Sequence, residues 1–239
     1  MRTRPIQTAL FICCAWVIST LLYWQVDAIH RGGSVMIPIV MCSVFSLTIV
    51  LERLYYFFSL GAGPSTKGFG GRAGVTRFFE ELREAVHHRE WANASTLCRN
   101  TRGPIARVAE AGLAAHEEEA QEIELVCEEA ARDEQPLVER HVRWLATLAQ
   151  VSTLLGLLGT VIGMVEAFQV IQSKATSFNP VSPGDLAGGI WQALITTVAG
   201  LEVAIPTILA YHYLLSRVAE VQFQMEKVTR LVAGWRRHQ

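Results

Sequence analysis

Long stretches of this chain carry no charge, and that absence constrains its fold more than any motif does. Ser34 to Leu51 is uncharged, and after Glu52 and Arg53 the apolar run resumes as "LYYFFSL". Trp144 to Val165 is uncharged, and Leu186 to Ser216 is interrupted only by Glu202 and His212. Crossing a hydrocarbon core of roughly 30 Å takes about 20 apolar residues as helix. Lipid offers the backbone no hydrogen bonds, so each segment must satisfy its own polar groups. The windows predict transmembrane helices at 34–58, 144–171 and 186–216. Ile6 to Trp24 is a candidate fourth. Its basic start "MRTRP" and the small residues Val26 and Ala28 fit a cleavable secretory signal, whereas its length and aromatic end fit an uncleaved anchor, so residues 1–28 are read as one or the other. The composition agrees, with 51% hydrophobic residues and a positive mean hydropathy. The expected fold class is an all-α integral membrane protein whose long helices extend into a cytoplasmic helical domain.

Lys and Arg near the span ends set the orientation. Arg53, Lys67, Arg72 and Arg77 follow the first window, Arg140 and Arg143 precede the second, and Arg217, Lys227, Arg230, Arg236 and Arg237 follow the third. The opposite side offers only Arg31 and Lys174. Residues 59–143 are therefore expected as a cytoplasmic helical domain, 172–185 as a periplasmic loop and 217–239 as a cytoplasmic tail.

A soluble enzyme would have to occupy residues 59–143. After a Gly-rich hinge from Gly61 to Gly74, Phe78, Phe79, Leu82, Val86 and Trp91 recur near helical spacing. A Gly103-Pro104 break then precedes a stretch rich in Ala, Glu and Leu that predicts one or two long helices. The acidic run from Glu117 to Glu139 lacks the alternating ligands and glycine of a calcium loop, and reads as a solvated face around a buried Ile123, Leu125 and Val126. His87, His88 and His116 have no partners at ligand spacing. Cys13, Cys14, Cys42, Cys98 and Cys127 form no C-x-x-C pair. Neither G-x-S-x-G, H-E-x-x-H nor a P-loop occurs, so no enzymatic activity, cofactor or metal is expected.

Polar chemistry remains inside the spans. In "LLGLLGTVIGM" the residues Gly156, Gly159, Thr160, Gly163 and then Ala167 share one helix face. Gly189, Ala193, Thr196, Thr197, Gly200 and Ala204 make a matching stripe on the next span. Small faces let membrane helices approach closely and let hydroxyls bond across. Thr160 lies roughly 22 Å in from the cytoplasmic start of its span and Thr197 roughly 17 Å in from the outer start of its own, so antiparallel helices would bring them to similar heights. Hydroxyls there could line a proton path without the cost of a fixed charge. Glu202 is the carboxylate deep in the last span. It is placed about 140° from Thr197 by helical geometry, and it is a candidate for structural hydrogen bonding, proton relay or regulation. Pro206 leaves the Glu202 carbonyl without its helical donor.

"LATLAQVSTLLGLLGTVIGMVEAF" joined to "LAGGIWQALITTVAGLEVAIPTILAYHYLLSRV" resembles the MotA/TolQ/ExbB proton channel family, closest to its ExbB/TolQ branch. The resemblance implies a homopentameric stator of the bacterial inner membrane. The ring would surround a single-span ExbD/TolR-like partner that supplies an intramembrane aspartate, and proton flow would do work on a TonB- or TolA-like protein. The family's intramembrane threonines fall on Thr160 and Thr197 and its helix-breaking proline on Pro206. The chain departs from the family's pattern at Thr153, where proline is common, at Gln192, where an acid is common, and at Glu202, where an apolar residue is usual. Glu166, three residues beyond Gly163, is a candidate substitute for the acid missing at Gln192. A MotA-like flagellar or gliding-motility stator is one alternative, and a passive membrane scaffold is another. The small stripe is further expected to face the central partner helix and give it a smooth wall to move against.

Overall fold

The computed structural model describes residues 32–61, 71–101, 103–176, 180 and 182–237; the candidate N-terminal span, with Cys13 and Cys14, lies outside them. Seven helices follow in order: α1 (Met36–Gly61), α2 (Gly71–His87), α3 (Trp91–Asn100), α4 (Pro104–Ala114), α5 (Ala120–Glu139), α6 (Val142–Thr176) and α7 (Pro183–Arg237). No strand occurs among the described residues. Three helical stretches, beginning at Met36, Ala120 and Leu186, are long and apolar enough to cross a membrane. Their outward faces carry large apolar side chains such as Leu154, Phe168, Trp191 and Leu209, all more than half exposed. In water that arrangement would be costly, whereas lipid solvates it.

The chain divides into two compact units. The first holds the beginning of α1, most of α6 and the first half of α7. Val35, Met36 and Ile39 of the α1 end pack on Ile195, Ala199 and Val203 of α7, a face repeating every four residues.

The second unit comprises 49–143 and 211–239. Its core is built from Phe78, Phe79, Leu82 and Val86 of α2, Ile105, Val108, Ala109 and Leu113 of α4, Ile123 and Cys127 of α5, and Met225, Val228, Val232 and Ala233 of α7. The segment expected as a tail from 217 is thus helical as far as Arg237, and its apolar stripe is buried. Local signals account for some element ends. Pro104 stands in the first turn of α4 behind Gly103, whose φ of 144° few other residues adopt. Two breaks carry no such signal. Arg89 (φ 58°) separates α2 from α3, and His141 (φ 62°) separates α5 from α6, both left-handed without being glycine. The break at His141 is held by α1. Arg53 is buried and donates Nη1–H to the Leu137 carbonyl at 3.2 Å, capping α5, while a Glu52 carboxylate oxygen lies 2.9 Å from His141 Nδ1. The buried face of α5 is Ile123, Cys127, Glu134 and Val138 rather than Ile123, Leu125 and Val126. Leu125 is 65% exposed, because at 200° from Ile123 it falls on the opposite side of the helix. Glu134, buried, is paired with Arg107 at 2.9 Å.

Candidate functional site in the glycine and threonine seam

The two small stripes read from the sequence meet each other. The first runs along α6 and the second along the outer half of α7, and both belong to the first unit. A Cβ added to Gly163 would lie 2.8 Å from the Gly189 carbonyl oxygen and 2.8 Å from the Ala193 Cβ. One added to Gly189 would lie 2.8 Å from the Ala167 Cβ, and one added to Gly200 would lie 2.7 Å from the Ser152 carbonyl oxygen. A methyl group needs about 3.5 Å from such atoms. The glycines of α6 therefore face the chain's own last helix. The close helix packing expected of these small faces is made with α7, which fills the stripe. Glycine is required because two backbones touch.

The seam orders its hydroxyls. Thr197 donates across it to the Gly156 carbonyl at 2.9 Å. Ser152, fully buried, donates across it to the Gly200 carbonyl at 3.1 Å. Thr196 is buried against Gly159 and donates to Ala193 of its own helix at 2.8 Å. Thr160 is half-buried at the seam's edge and donates to Leu157 of its own helix at 2.6 Å. Thr160 and Thr197 are thus offset along the seam rather than side by side, since the partner of Thr197 is Gly156, one turn or about 6 Å from Thr160. Ser152 was missed in the sequence, although it extends the stripe by one turn from Gly156.

The carboxylates occupy different surroundings. Glu166 lies beyond Gly163 and accepts a hydrogen bond at 3.0 Å from Gln192 Nε2 on α7, so the structure brings together the two residues linked by the missing acid. Glu202 is half-buried and has no hydrogen-bond or ion-pair partner among the described residues. It stands off the seam, as its helical angle requires. The α7 helix continues through Pro206, and next to it Thr207 is buried and donates to the Val203 carbonyl at 2.6 Å, adding a local bond where proline removes one. Ala204 is buried beside them. No group of three His, Cys, Asp or Glu side chains arranged to hold a metal ion occurs among the described residues.

This seam of glycine, serine and threonine across two antiparallel membrane helices lies within the segment that a family profile recognises. The profile of the MotA/TolQ/ExbB proton channel family matches residues 100–227, more than half of the chain. The chain belongs to that family. As a family member it resembles proteins named for biopolymer transport. It is 28% identical over 178 residues to the putative biopolymer transport protein ExbB-like 3 of Synechocystis, covering 74% of this chain and 79% of that one. It is 27% identical over 176 residues to the biopolymer transport protein exbB1 of Vibrio cholerae, covering 72% and 70%. Over 86 residues it is 41% identical to the Tol-Pal system protein TolQ of Haemophilus influenzae, covering 36% of each chain. A role in the biopolymer-transport class follows for this membrane protein.

Proposed function

We propose that this chain is the proton-channel stator subunit of an ExbB/TolQ-type complex. In this reading five copies surround a single-span ExbD/TolR-like partner in the bacterial inner membrane, and proton flow drives work on a TonB- or TolA-like protein. Residues 59–143 and 217–239 lie on the cytoplasmic side, and 172–185 face the periplasm. The observation that carries the reading is the ordered hydroxyl system of the seam. Thr197 bridges the two helices at Gly156, and Thr160 stands half-buried one turn away at the edge, where a neighbouring helix can reach it. Each hydroxyl retains acceptor capacity after donating its proton to a carbonyl. Threonine does not ionise at physiological pH, so these groups line a path whose carrier must be a carboxyl group. The partner's aspartate is that carrier, and Glu166 and Glu202 are the chain's own candidate acids along the path.

The passive scaffold is a second reading, favoured by one specific observation: both threonine hydroxyls are satisfied by backbone carbonyls and would serve packing alone. Substitution separates the two. In the stator reading, Thr160→Ala and Thr197→Ala abolish force-dependent transport or envelope maintenance in cells while the complex still assembles, and Thr→Ser at either position is tolerated. Unchanged activity in both alanine variants would leave the scaffold.

A further inference from the structure

Glu166, Gln192 and Gly33 come from three different segments and meet at one end of the first unit. Glu166 is exposed on α6, and one of its carboxylate oxygens accepts from Gln192 Nε2 at 3.0 Å. Among the described residues it has no other hydrogen-bond or ion-pair partner, so its second oxygen is open. The Gln192 amide is in turn confined by Gly33. A Cβ added at Gly33 would lie 2.5 Å from Gln192 Nε2 and 3.4 Å from its Cδ, and the φ of +68° at Gly33 already disfavours any other residue. Thr160 is six residues inward along α6, about 9 Å, and Thr197 is five residues inward along α7, about 7.5 Å. Charged groups on the packed elements lie further off. Residues 186–201 of α7 contain none and Asp185 lies seven residues outward from Gln192, about 10.5 Å; 34–48 of α1 contain only Cys42, with Arg31 two residues before Gly33 in the sequence; and on α6 Lys174 lies eight residues further out than Glu166, about 12 Å.

On the stator reading and its orientation, we propose that Glu166 is the acid through which protons enter the path from the outer side, with Gln192 and Gly33 as its positioning residues. A hydronium ion at the outer face transfers its proton to the open Glu166 oxygen, forming an O–H bond and leaving water. Glu166 then gives the proton up on its inner side to a water molecule, forming hydronium, and the carboxylate is restored. An amide suits this position because it donates N–H to the carboxylate and, by rotating, accepts from the carboxylic acid. Both protonation states of Glu166 therefore keep a partner, which neither a leucine nor a second carboxylate at 192 would provide.

The test is proton flux in proteoliposomes holding this chain with its copurifying single-span partner, measured across a range of outer pH. Assembly of each variant is checked by size-exclusion chromatography. Glu166→Gln lowers flux by about tenfold or more and flattens its dependence on outer pH. Gln192→Leu and Gly33→Ala each lower flux and alter the pH profile, as a purely structural change would not. The exchange variant Glu166→Gln with Gln192→Glu, which keeps one carboxyl and one amide at the same place, recovers both flux and pH dependence. Glu166→Gln with unchanged flux, while Thr160→Ala abolishes it, overturns this inference and leaves the stator reading standing. An exchange variant that assembles but stays inactive counts against the pairing with Gln192. If neither Thr160→Ala nor Glu166→Gln affects flux, the stator reading itself fails.

Discussion

In the α6 and α7 seam a methyl group added at Gly156, Gly163, Gly189 or Gly200 would strike backbone, and one added at Gly159 would strike the Thr196 side chain, so the consequence can be measured residue by residue. At Gly163 a larger side chain meets the Gly189 carbonyl and Ala193, neither of which can swing away. Gly163→Val therefore separates the helices. Overpacking of this kind costs about 1–3 kcal/mol, and it also breaks the hydroxyl bonds at Thr197 and Ser152 that depend on the same contact. Gly188 is the control: a Cβ there meets nothing within 4 Å, so Gly188→Ala does not lower stability. Thermal unfolding in detergent should show a lowered midpoint for the first variant and none for the second, and equal midpoints would refute the close-packed seam. The existence of the two stripes was legible in the sequence because helical spacing places small residues on one face. Whether they face each other or a partner helix was not legible. A stripe of glycine reports that something comes close, and the structure was needed to identify it as the chain's own last helix. The meeting of Glu166 and Gln192 was open in the same way, since their contact depends on the register between two helices.

Helices were legible where one physical signal dominated. Absence of charge marked the membrane-crossing stretches, and Gly103-Pro104 marked the start of α4. The breaks at Arg89 and His141 were hidden because neither residue type announces a left-handed backbone, and what holds the second is a tertiary contact, the Arg53 cap on the Leu137 carbonyl. The helical run from 217 to 237 looked like a tail because its charges mask a stripe of one apolar residue every three or four positions, Met225, Val228 and Val232. That stripe packs in the core that also buries two thiols. Burial, aided by the nearby Glu110 charge, pushes the Cys98 thiol up to about 12. Burial also pushes Cys127 up to about 11, although a hydrogen bond with Thr229 works in the other direction. Relative to an ordinary thiol value of 9.0, the folded unit holds protons that the unfolded chain releases. Its stability is therefore fully present below about pH 9 and falls as pH rises through 11 and 12. Denaturant midpoints at pH 8 and pH 10.5 should differ in the native chain and converge when Cys98 and Cys127 are both replaced by alanine. A native chain equally stable at both pH values would contradict the buried thiols.

At the scale of the whole molecule, the exposed apolar faces of α6 and α7 and the half-buried Thr160 leave the chain suited to neighbours within the membrane. A ring of about five copies follows from the stator reading and is compatible with closed cyclic symmetry; native mass spectrometry from mild detergent checks it, and a monomer in both detergent and lipid would oppose it. The central claim is that this chain lines a proton path but does not carry the charge alone, because threonine does not ionise, Glu202 stands off the seam and Glu166 only admits protons at the outer end. The most direct measurement is proton flux under a pH gradient in proteoliposomes containing this chain with and without its partner. The account predicts little flux from the chain alone and robust flux with the partner, lost in Thr160→Ala. Robust flux from the chain alone, removed by Glu202→Gln and unaffected by Thr160→Ala, would contradict it and make Glu202 the carrier.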